Sequence, residues 1–156
     1  MSKTRTKKTP SIGSVSTGTL RPEDLIPAFV DALADFKPRL AAKYDREFSA
    51  VVDRDFELND PDSAETLGFI CDELQTALSD VCPPYMYFGT LAGDGADFGF
   101  WPDWDSIDND EDVLRVADLS DVPRGYSGYA LVVNDHGNAA LYRVANGRHW
   151  LQWDCI

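Results

Sequence analysis

Twenty-seven Asp and Glu, two His and three Cys are the chain's stock of groups able to move protons, attack carbon or hold metal. Asp108, Asp110 and Asp112 alternate as the first ligands of an EF-hand loop do. That loop needs Gly at its sixth place and Glu at its twelfth, where Val113 and Leu119 stand, and a frame opened at Asp103 fails as well. Gly13 and Gly18 have the outer spacing of a phosphate loop, but Thr19 and Leu20 replace the Lys-Ser/Thr pair and no strong strand precedes them. His136 lies in a turn-rich stretch and His149 opens a strand-like one, with no nucleophile elbow and no recognisable Cys signature nearby. Abundant carboxylates do not make an acid–base pair, because only a buried one acquires a useful pKa. No catalytic residue, metal ligand or cofactor is therefore assigned. A metal-assisted hydrolase or transferase, using Asp94, Asp97, Asp103 or Asp105 with His136 or His149, is the enzymatic alternative.

Binding chemistry is better represented. Residues 94–121 carry ten acids and one base, Arg115, so that nine of the chain's thirteen net negative charges fall in 28 residues. Within them lies Phe98-Gly99-Phe100-Trp101-Pro102-Asp103-Trp104, an aromatic run between carboxylates. Such a patch repels itself but attracts a basic partner over about 8 Å at physiological salt. Trp is favoured as a buried anchor in interfaces. Trp101, Asp103, Trp104, Asp105, Asp108, Asp110, Glu111 and Asp112 are the candidate binding residues. The plain alternative is a solvated loop, with Phe98, Phe100 and Trp101 turned to the core.

Composition bounds the partner. In 156 residues, 14 Lys and Arg stand against 27 acids, a net charge of −13. This sign disfavours direct contact with nucleic acid, whose phosphates need a basic surface. No apolar run reaches ~18 residues, and no apolar segment follows Lys3, Arg5, Lys7 and Lys8. Neither a membrane span nor a secretory signal is expected. Cys71, Cys82 and Cys155 are too few and scattered for a disulfide framework, which points to a reducing cytoplasm.

Several elements must position these residues. Residues 1–19 read as a basic then Ser/Thr/Gly-rich flexible arm, with 20–156 as a single domain. Pro22 opens a helix whose stripe is Leu25, Phe29, Leu33 and Phe36; Pro27 is expected to bend or delay it and Pro38 to stop it. A weaker helix runs through Leu40, Tyr44 and Phe48 toward Val52, and residues 57–61 read as a loop. Asp60 or Asp62 caps the next helix, whose buried face is Leu67, Ile70, Cys71, Leu74, Leu78 and Val81, ended by Pro83-Pro84. Cys71 there reads as a small buried hydrophobe. The period then changes to two. Strands are predicted at 85–91, 97–101, 113–116, 129–133, 139–144 and 149–155, with Asn146-Gly147 as a strong two-residue turn. In the last strand, either Leu151, Trp153 and Cys155 face inward or Trp150 does.

Helices followed by strands predict an α+β fold, with two or three helices on one face of a mainly antiparallel sheet of about five strands. The expected function is non-enzymatic: docking of a basic protein through the acidic, Trp-containing segment. One version is a nucleic-acid mimic or inhibitor that occupies the groove of a nucleic-acid-binding protein. A structural subunit of a larger assembly is the other alternative.

Overall fold

The computed structural model describes residues 8–54 and 60–155. Most of the basic arm (residues 1–7) and most of the expected 57–61 loop lie outside the described residues. The chain divides into two compact units. A helical unit takes 13–82 and 88–100; a sheet unit takes the other described residues, 8–12, 83–87 and 101–155.

In the helical unit, β1 (Gly13–Ser16) precedes α1 (Pro22–Ala34), α2 (Pro38–Arg54) and α3 (Pro61–Asp80). Pro22 and Pro61 sit in the first turns of α1 and α3, where a missing N–H costs little. Asp60 caps α3 by accepting from the Asp62 N–H at 3.2 Å. All six expected core residues of this helical segment, Cys71 and Val81 included, are buried. Pro27 does not delay α1, which starts at Pro22 and runs through it; so near the N-terminus it removes a single intrahelical bond. Pro38 follows the end of the first helix and opens the second. Leu25, Ile26, Phe29 and Leu33 are buried along α1. Phe29 meets Phe88 and Phe98 edge-on, with ring centroids 5.1 and 5.5 Å apart.

The two phenylalanines belong to a hairpin, β2 (Met86–Leu91) and β3 (Asp94–Pro102), turned by Ala92-Gly93 with Gly93 at φ 88°. The hairpin does not join the C-terminal strands in one five-stranded sheet. Its sheet has three strands in the order β1-β3-β2. The added strand comes from the Ser/Gly-rich stretch read as linker: Gly13 pairs with Phe100, Ser14 with Gly99 and Ser16 with Phe98. Gly99 permits the close approach, since a Cβ there would fall 2.9 Å from the Gly13 carbonyl carbon.

The sheet unit holds four strands in the order β4 (Leu114–Val116), β5 (Gly128–Val133), β6 (Ala139–Ala145), β7 (Arg148–Cys155). The first pair is parallel and the other two antiparallel. The fold is therefore α+β, with four α-helices and two sheets of three and four strands among the described residues. Asn146 and Gly147 have φ of 52° and 72°, as a type I′ turn demands of both central residues. Leu131, Leu141 and Trp153 stand opposite one another across β5, β6 and β7, and all three are buried. The ladder then shifts: Leu141 pairs with Trp153 but Tyr142 with Leu151, leaving Gln152 unmatched. This bulge breaks the alternation on which both sequence readings of the last strand relied. Trp150 and Leu151 are both exposed, at 45% and 49%.

Candidate functional site

The acidic segment is held by its own carboxylates. Asp103 precedes the one-turn helix α4 (Trp104–Asp108) and caps it, accepting from the Ser106 N–H at 3.1 Å and the Ser106 hydroxyl at 2.6 Å. Asp108 accepts from Arg115 at 2.7 Å. Asp110 accepts from the Asp112 N–H at 2.9 Å and from the Tyr85 hydroxyl at 2.5 Å. Asp residues take up turn and cap positions readily because their short side chains reach backbone N–H groups nearby. Half of the six candidate acids are thus spent partly on local architecture. The side chains of Asp105, Glu111 and Asp112 are exposed and take no hydrogen bond or salt bridge among the described residues.

The aromatic residues divide likewise. Phe98 and Phe100 are buried in the helical unit, as the plain reading expects. Trp101 is half-buried, while Trp104 remains 42% exposed. The Trp104 ring stands edge-on against Trp153, centroids 6.0 Å apart at 89°. Trp153 is buried and donates its indole N–H to the Pro84 carbonyl at 3.2 Å. Trp104 and Asp108 are one helical turn apart and share a side of α4. An exposed indole on a rigid support, with carboxylates around it, is the element of this segment best suited to bind.

Tyr85 is the residue that sequence reasoning missed. Its backbone is left-handed, φ 60°, a conformation that costs a non-glycine residue about 1–3 kcal/mol. The surrounding bonds hold it there. Its carbonyl accepts from the Asp103 N–H at 2.8 Å, its hydroxyl reaches Asp110, and its ring meets Tyr129 edge-on at 5.4 Å. One strained residue therefore ties down both ends of the 103–110 stretch. No sequence signal short of the fold reveals this, since a Tyr after two prolines marks only a break.

Charge reports the same contacts. The bond from Tyr85, helped by the Asp112 N–H, holds the Asp110 carboxyl below the ordinary carboxylate range. In return Asp110, with some burial, pushes the Tyr85 phenol up to about 12. Burial first, then the charges of Asp103 and Asp105, raises Tyr87. The Tyr85–Asp110 bond needs a neutral phenol and an ionised carboxylate. The Asp110 contribution is present above the ordinary carboxylate pKa and is lost as pH falls through its lowered value. The Tyr85 contribution is present below the ordinary phenol pKa and is lost as pH rises through about 12. The melting temperature of Tyr85→Phe should accordingly fall below the parent's by a constant amount between about pH 5 and pH 9, with the gap closing on either side. A gap that does not vary with pH would dismiss the bond.

The groups proposed for the enzymatic alternative are divided between the two units, Asp94 and Asp97 in the helical one and Asp103, Asp105, His136 and His149 in the sheet one. His136 is exposed in the turn after β5. Asp97 lies in the helical unit, and its Oδ1 is buried with no hydrogen-bond partner there among the described residues. Among the described residues, no three His, Cys, Asp or Glu side chains gather where a metal ion could be held. Nor, among them, is any helix long and apolar enough to cross a membrane. No family model, curated protein or solved structure matches the chain.

Proposed function

We propose that the chain is a non-enzymatic binding protein of the cytoplasm that docks a basic protein surface through its Trp101–Asp112 segment. The observation that carries this reading is Trp104, an exposed indole braced by a buried Trp153 and flanked by carboxylates. The indole is the anchor. The side chains of Asp105, Glu111 and Asp112, which take no hydrogen bond or salt bridge among the described residues, supply the field that speeds encounter. Asp103, Asp108 and Asp110 hold the segment in shape while adding to that field. With nine of the thirteen net negative charges in residues 94–121 around it, the partner is a nucleic-acid-binding protein whose groove the segment occupies as phosphates would.

Affinity capture from native extract at low salt should retain a basic protein and release it as salt rises. With that protein, Asp105→Lys/Glu111→Lys/Asp112→Lys should slow association roughly tenfold or more. Trp104→Ala should instead speed dissociation, at a cost of about 2 kcal/mol or more. Association and dissociation rates left unchanged by these variants would end the proposal.

A further inference from the structure

The sheet unit also contains a concave site of opposite charge. A pocket of about 320 Å³ lies between the loop that follows β4 and the β6–β7 turn. Arg124, Arg148 and His149 line it, together with Leu119, Val122 and Val144, and no acidic residue does. Val144 pairs with His149, and Val144 is an odd number of residues from Leu141 on β6. Its side chain therefore leaves the sheet on the face opposite Leu131, Leu141 and Trp153. Trp104 packs on Trp153, on the other face of the sheet from Val144.

Two rigid turns present the arginines. Arg124 and Gly125 are the central residues of a turn closed by Tyr126 N–H donating to the Pro123 carbonyl at 3.2 Å, with Gly125 at φ 81° as a type II turn requires. Tyr126 is fixed in turn, its hydroxyl 3.0 Å from the Asp112 carbonyl and 2.7 Å from that of Tyr129. Arg148 directly follows the Asn146-Gly147 turn. Asp118 spends its carboxylate on the Ser120 N–H at 2.8 Å, and Arg143 is diverted to the Val144 carbonyl and the Tyr129 ring.

Among the described residues, neither Arg124 nor Arg148 has a salt bridge or side-chain hydrogen bond. Of the other arginines among the described residues, Arg21 takes Glu23 and Arg115 takes Asp108, while Arg54 and Arg143 donate to backbone carbonyls. In a chain where acids outnumber bases 27 to 14, a pocket lined by two guanidiniums and no carboxylate runs against the general charge pattern. Guanidinium forks match the oxygens of carboxylate and phosphate, and two of them balance a dianion. The volume lies at the small end of ligand pockets, and Leu119, Val122, Pro123 and Val144 offer an apolar wall. We propose that this pocket binds a small phosphate monoester, with the phosphate on Arg124 and Arg148, His149 as a further donor, and an apolar body against the wall.

Calorimetry on the full chain with phenyl phosphate, inorganic phosphate and benzoate tests this. Phenyl phosphate should bind roughly tenfold or more tightly than either other probe, because only it combines the dianion with an apolar body. Arg124→Gln and Arg148→Gln should each weaken it about tenfold or more, and Arg148→Lys less, since lysine keeps the charge but loses the fork. Amide shifts on the unmutated chain should centre on Tyr126, Val144 and His149, which keeps the test independent of variant folding. No binding at millimolar phenyl phosphate, equal or tighter binding of benzoate or inorganic phosphate, an unchanged double Arg→Gln variant, or shifts centred elsewhere would each overturn it.

Discussion

Trp153→Ala should destabilise the sheet unit by about 3–5 kcal/mol in urea denaturation followed by circular dichroism. The indole is 3% exposed, and its loss removes the largest apolar side chain from the buried row it forms with Leu131 and Leu141. It also leaves the Pro84 carbonyl without its donor and Trp104 without the ring it leans on. Trp153→Phe separates these effects, because it restores a ring but not the N–H. We expect it to recover most of the stability, leaving about 0.5–1.5 kcal/mol for the hydrogen bond together with some loss of packing. A Trp153→Ala effect under about 1 kcal/mol would contradict the role of this residue as the floor beneath Trp104.

Phe29→Ala should produce a loss of similar size in the helical unit, about 3–5 kcal/mol. Phe29 has no exposed surface and touches an aromatic ring on each strand of the β2–β3 hairpin. It is the point at which α1 grips the three-stranded sheet. The pairing with Phe88 should appear in a double-mutant cycle with Phe88→Leu as about 0.5–1.5 kcal/mol beyond simple addition. Additivity within about 0.3 kcal/mol would show that the two rings act independently.

The helical stripes and turns were legible because their signals are local. Asp60 before Pro61, followed by an apolar face at three- and four-residue spacing, specifies α3 without reference to the rest of the chain. Asn146-Gly147 likewise specifies its own turn, and both residues adopt the positive φ that such a turn needs. What escaped is pairwise. Gly-Ser-Val-Ser has no alternating apolar pattern, and it becomes a strand only because Gly99 lets a neighbouring backbone come close. That missing strand is why one sheet was expected where two form. The bulge at Gln152 is a property of the β6–β7 pair, so neither inside–outside assignment of β7 could hold by itself.

The candidate binding segment was legible as charge and composition, not as shape. Ten acids among 28 residues stand out in any reading, but their division into structural and unpartnered carboxylates depends on Ser106, Arg115 and Tyr85. The cationic pocket left no trace at all. Arg124 and Arg148 are unremarkable in a chain with fourteen bases, and two distant turns bring them to one cavity. Total charge concealed a local exception.

The unmatched Gln152 has a bearing on whether copies of this chain can add strand to strand along β7. β7 is an outer strand of its sheet and carries two large apolar side chains in the open, a combination that invites sheet growth from molecule to molecule. A newcomer aligned with one half of β7 arrives out of phase with the other, because the extra residue shifts the hydrogen-bonding rhythm between Leu151 and Trp153. Polymerisation along that rim is thereby interrupted after a few bonds, while Trp150 and Leu151 stay within reach of solvent.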